Sequence, residues 1–157
     1  MNVRRLSKGE RIATVSAILL FVFMFLPWFG GDLPEIGGYS GGGSAWEVLD
    51  VIPLFLMLAA VVGFGAGLVV AIDADLGTAF SPNAVVAACG GLAVLLILFR
   101  ILFQPSLEDF GGVAVDTTLR YGIFLGLLAA AGIAYGGYSA MRDEGLTFDD
   151  SADRLSQ

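Results

Sequence analysis

Four apolar stretches, each close to the length of a membrane crossing, fix what this chain can become. They cover residues 12–27, 53–72, 84–103 and 121–141. An α-helix rises about 1.5 Å per residue, so about 20 apolar residues cross a hydrocarbon core of about 30 Å. A water-soluble helix of that length keeps a polar face, and these stretches carry almost none. The pattern predicts an all-α fold, an antiparallel four-helix transmembrane bundle. Its membrane domain covers 12–141, with spans at 12–27, 46–72, 82–103 and 119–141. A basic head (1–11) precedes it and a polar tail (142–157) follows.

Orientation follows from the cations. Arg4, Arg5, Lys8 and Arg11 crowd the head, the first loop holds no Lys or Arg, and Arg142 follows the last span. Positive residues stay on the cytoplasmic side, so both termini are expected in the cytoplasm. A basic start and an apolar core also suit a signal peptide. The string Leu26-Pro27-Trp28-Phe29-Gly30 offers no small-x-small cleavage site, so an uncleaved first helix is expected. Anionic lipid is a second partner for the basic head, although topology alone accounts for it.

Composition narrows the function classes. Hydrophobic residues make up 57% of the 157 positions, beyond an ordinary soluble domain. A net charge of −7 argues against nucleic acid, which needs a basic footprint. The chain has no histidine, the commonest general base and metal ligand, and no clustered nucleophile. No enzyme activity, metal or cofactor is therefore expected. Cys89, the single cysteine, reads as a small buried hydrophobe. Asp73-Ala-Asp75 has the spacing of a Mg²⁺-diphosphate ligand, but it lacks further carboxylates or cations on its face and reads as a solvated loop.

Local signals place the breaks. Trp28 and Trp46 are expected as interfacial anchors. Seven glycines between them (Gly30, Gly31, Gly37, Gly38, Gly41, Gly42, Gly43) suggest a flexible connector. Ser44-Ala-Trp-Glu47 has the form of a capping box for the second helix. Pro53 should kink or break that helix, and Ser81-Pro82 should open the third.

Two sets of residues stand out as candidate sites. Glu47 and Asp50, spaced i and i+3, share a helix face, and Arg100 and Arg120 reach the same outer depth. Charges in spans usually turn inward and pair. Ion pairs of Asp50 with Arg100 and of Glu47 with Arg120 would lock helix register. The alternatives are snorkelling to headgroups, or an ion or ligand site at the outer mouth. The second set is helix-packing glycines at GxxxG spacing: Gly63 with Gly67, Gly122 with Gly126, and Gly132 with Gly136. Small residues at this spacing let backbones approach closely, within the bundle or in a homo-oligomer along the fourth helix.

Several strings are familiar: Phe25-Leu26-Pro27-Trp28-Phe29-Gly30, Ser44-Ala45-Trp46-Glu47 with Asp50, Tyr121-Gly122, and 136–144 (GGYSAMRDE). Together they resemble small four-span membrane proteins of the actinobacterial type. The resemblance implies plasma-membrane residence and no established activity, so it assigns no functional residue. A likeness to claudin-type proteins fails, because the first outer loop lacks paired cysteines.

The expected role is a non-catalytic membrane component, an accessory or scaffold subunit packing in the lipid bilayer against itself or a larger membrane complex. The alternative is a small oligomeric transporter or channel, with Asp50 and Arg100 as coupling or selectivity residues. Asp50→Asn or Arg100→Leu alone should destabilise the detergent-solubilised protein. Combining them should recover part of the loss, because the penalty comes from one charge left unpaired. Simple additivity in that double-mutant cycle removes the pair.

Overall fold

A computed structural model of the chain describes residues 6–31, 42–48, 51–71, 82–103, 117–143 and 145. The elements in chain order are α1 (Lys8–Phe23), β1 (Pro27–Gly31), β2 (Gly42–Ser44), α2 (Ala45–Val48), α3 (Ile52–Ala71), α4 (Pro82–Leu102), β3 (Thr117–Leu119) and α5 (Tyr121–Asp143). Three helices, α3, α4 and α5, are long and apolar enough to cross a membrane. The fourth long helix, α1, has 16 residues and spans about 24 Å. It begins inside the segment that the sequence suggests is a basic head. It ends at Phe23, before Pro27, where the chain turns into β1.

Each helix start has a local cause. Ser7 caps α1: its hydroxyl accepts from the Glu10 N–H at 3.2 Å, and Glu10 Oε2 accepts from the Ser7 N–H at 2.7 Å. This Ser-x-x-Glu box satisfies two backbone donors reciprocally. Pro82 is the first residue of α4, where a missing N–H is harmless. Pro53 sits in the first turn of α3, past the end of α2 at Val48. At the far end of α5, Gly145 adopts φ +70° and donates its N–H to the Arg142 carbonyl at 3.0 Å. That left-handed turn suits glycine and stops the helix.

The helices close into a ring in which α1 packs on α3 and α5, and α4 packs on the same two. Small residues set the spacing. A Cβ added at Gly136 would lie 2.5 Å from the Ala13 nitrogen, and one at Gly9 would lie 2.5 Å from the Ala140 nitrogen. Across the other seam, a Cβ at Gly137 would lie 2.6 Å from the Ala87 nitrogen, and Gly90 abuts the Ala134 backbone. These pairings join the start of α1 and of α4 to the end of α5. Gly63 against Ala17 and Gly67 against Thr14 seat α3 on α1. Thus α1 and α4 run parallel, with α3 and α5 antiparallel to both.

Apolar side chains fill the inside and also cover the outside. The core holds Ala13, Ala17, Leu20, Ala60, Val86 and Ile133 in one half, and Met24, Trp28, Phe29, Leu56, Ile97 and Ile123 in the other. The exterior shows Val15, Phe21, Leu58, Val61, Leu95, Phe99, Leu128 and Tyr135 among other large apolar side chains. A surface so apolar on every long helix suits lipid rather than water.

The all-α expectation omitted a small sheet. Strands β2-β1-β3 form an antiparallel three-stranded sheet, with Phe29 opposite Leu119 and Gly43. Gly30, Gly31, Gly42 and Gly43 therefore lie in strands and not in a flexible connector, while Gly37, Gly38 and Gly41 lie outside the described residues. The strands form because this backbone needs partners: Thr118 Oγ1 donates to the Gly30 carbonyl at 2.9 Å, and the Arg120 N–H donates to the Trp28 carbonyl at 2.9 Å.

Gly136→Ala should cost about 2 kcal/mol or more, since the new methyl meets backbone that cannot yield. Gly65→Ala should be neutral or stabilising within about 1 kcal/mol, because nothing lies within 4 Å of its Cβ position. Thermal unfolding in detergent, comparing the two variants, checks the contrast.

Candidate functional site

At the sheet end, the structure brings α2, Arg100 and Arg120 to one end of the bundle. Arg100 is half-buried in the last turn of α4, where a cation complements the helix dipole. Arg120 precedes α5, and its guanidinium lies over Gly30, at the position a side chain there would fill. Glu47 belongs to α2, but its side chain and Asp50 lie outside the described residues. So do Asp73 and Asp75.

The same end corrects the role expected of Trp28. Its indole is 0% exposed, not an interfacial anchor. It lies on a flat shelf made by Gly122 and Gly126: a Cβ at Gly126 would lie 2.6 Å from Cζ2 of the ring. Indole Nε1 donates to the Phe23 carbonyl at 2.7 Å, beside the Leu26 N–H that donates to the same oxygen at 3.1 Å, so both lone pairs of this carbonyl at the end of α1 are used. Glycine supplies the shelf and the helix end supplies the acceptor, so the ring leaves the lipid interface for the core. Trp46 remains partly exposed and stands 6.2 Å from the Phe25 ring.

The predicted glycines are not equivalent. Gly122 and Gly126 hold Trp28, Gly136 holds α1, and Gly63 and Gly67 hold α1 from α3. Gly132 faces the Ser16 hydroxyl of α1. All six contact partners within the chain.

The opposite end holds a buried polar node that sequence reasoning missed. Glu10 is 8% exposed and Asn83 is 4% exposed. Asn83 Nδ2 donates to Glu10 Oε1 at 3.4 Å, joining residues 73 positions apart. The carboxylate's other oxygen is the one that caps α1. Parallel α1 and α4 thus present their first turns to one carboxylate, and both dipoles favour its charge. Thr14 adds a hydroxyl donated to the Glu10 carbonyl at 2.7 Å. Ser7-Lys8-Gly9-Glu10 carried a readable capping signal, whereas nothing local to Asn83 announced its partner.

Among the described residues, no group of three or more His, Cys, Asp or Glu is placed to hold a metal ion. Cys89 is a free thiol, half-buried against the core. The node can therefore lock two helix starts together, with one carboxylate serving as cap and as interhelical acceptor.

Glu10→Ala should lose about 1–2 kcal/mol of stability, combining the cap with an interhelical hydrogen bond. Glu10→Gln should keep most of it, since an amide oxygen can serve a capping box. In a cycle with Asn83→Leu, the coupling should reach about 0.6 kcal/mol or more. Unfolding in detergent supplies the four stabilities.

No family model matches the chain, and no curated protein or solved structure matches it either.

Proposed function

We propose that this is a multi-pass plasma-membrane protein with four antiparallel helices and both termini in the cytoplasm. It acts as a non-catalytic accessory or scaffold subunit, alone as a homo-oligomer or within a larger membrane complex. The observation that carries this is the division of small and large residues. The glycines that allow close approach are spent inside the chain, around a tightly filled core, while large apolar side chains cover the outside. Such a body has the form of a rigid packing unit. Although α1 alone is short for a crossing, residues 24–26 and the buried Trp28 and Phe29 extend its apolar length. Non-helical backbone at that depth is tolerated where protein covers it.

Intrachain use of Gly122, Gly126 and Gly136 moves the candidate oligomer face away from the GxxxG faces of α5. Gly65 of α3 and Gly91 of α4 have open space where a side chain would stand. Close approach of a neighbouring helix to those two positions fits an assembly role.

Two measurements test the reading. In a Cys89→Ala background, single cysteines introduced as Asn2→Cys and Gln157→Cys should react with a membrane-impermeant maleimide only from the cytoplasmic side. Reaction from outside overturns the orientation. Crosslinking in native membranes followed by mass spectrometry should return a reproducible membrane partner or self-crosslinks through α3 and α4. A chain that crosslinks to nothing in the membrane is not a subunit.

A further inference from the structure

A groove runs between α1 and α3 on the outer surface. It encloses about 230 Å³ and is lined by Ala17, Ile18, Phe21, Ala60, Val61 and Phe64, all apolar. The small residues Ala17 and Ala60 form its floor, and the exposed Ile18, Phe21, Val61 and Phe64 form its walls. Arg11 stands above it on the same ridge of α1, with the exposed Lys8 one turn earlier and about 60° further around the helix from the groove. Arg11 is exposed and precedes Ile18 by seven residues. Seven residues rotate a helix to within about 20° of the starting direction and advance it about 10 Å. Phe21 lies about 15 Å along the axis from Arg11. One leaflet of hydrocarbon is about 15 Å deep, so a headgroup at Arg11 would hang its chain through this groove. Glu10, the nearest carboxylate in sequence, is turned inward to Ser7 and Asn83. Helix α3 has no ionisable residue along its length.

The geometry points to a binding site for an anionic phospholipid of the cytoplasmic leaflet, with its phosphate paired to Arg11 and one acyl chain in the α1/α3 groove. This rests on the membrane orientation proposed above. Charge complementarity selects the headgroup, and the depth of the groove below the charge selects a lipid over a free anion. The small floor residues let a flexible chain sink between two helices, where a second helix with its own side chains would not fit in 230 Å³.

The test is photolabelling of the full chain reconstituted in phosphatidylcholine vesicles. A trace of phosphatidylglycerol carrying a diazirine at mid-chain is compared with phosphatidylcholine carrying the same chain. The expected result is several-fold greater labelling of α1 and α3 groove peptides by phosphatidylglycerol. Arg11→Gln should bring labelling down to the phosphatidylcholine level. Adding Ile12→Arg restores the count of positive charges but places the new one about 100° around the helix, so it should not restore labelling. Val61→Trp, at an exposed wall position, should fill the groove and abolish labelling without disturbing the core. Labelling spread evenly over all helices, labelling independent of headgroup, or crosslinks from a second copy into the groove would each overturn the proposal. Alkaline carbonate extraction separates the two levels: release of the chain from vesicles sinks the membrane reading itself, whereas retention with an unlabelled groove sinks only the lipid site.

Discussion

Backbone-to-backbone approach along α5 is the constraint on which the rest of the structure depends. Gly136 meets Ala13 and Gly9 of α1, and Gly137 meets Ala87 of α4. Because one helix is gripped on two sides at nearly one level, α1 and α4 are brought close enough for Glu10 to reach Asn83. In lipid there is no hydrophobic force to bring helices together, so van der Waals contact at small residues has to supply the attraction. The buried polar node is a consequence of that approach: the glycines set the distance, and the hydrogen bond then fixes which turn faces which.

The two ends of the bundle solve the same problem differently. Helix termini leave backbone groups unsatisfied, and burial makes that costly. At one end a side-chain carboxylate completes the start of α1 and receives a donor from α4. At the other end, the Phe25 and Leu26 amides, the Trp28 indole and the Ala45 N–H take up the Val22, Phe23 and Met24 carbonyls where α1 stops. The sheet follows the short first helix directly, so β1, which begins four residues after Phe23, finds backbone partners in β2 and β3. Arg120 over Gly30 closes this end and orders the entry into α5.

Much of the helical layout was legible because lipid solubility imposes one rule on every residue of a span. Apolar runs of the right length announce α3, α4 and α5, and proline marks the starts of α3 and α4. Glycine spacing was legible too, but not its partners: the same GxxxG in α5 serves a tryptophan shelf in one place and a helix seam in another. Trp28 illustrates the limit. Its position beside a span end suggests an interface anchor, and only the three-dimensional placement of Gly122 and Gly126 draws it into the core. The sheet was illegible for the same reason, since β1 and β3 belong to separate loops and strands of three to five residues, two of them glycine-rich, have little signal of their own. Of the outer charge cluster, sequence placed the cations at a common end, while Asp50 lies outside the described residues.

The seat of Trp28 also sets an order of assembly. Thr118 and Gly30, joined in the sheet, are 88 residues apart, and the shelf of Gly122 and Gly126 follows immediately after. At ribosomal speeds of 5–20 residues per second, about 5–20 s separate synthesis of the ring from synthesis of its shelf. During that interval Trp28 lacks its glycine shelf and the first strand lacks its β3 partner. A chain truncated before β3 and α5 would therefore lack both the glycine shelf under the indole and one of the two strands that pair with β1.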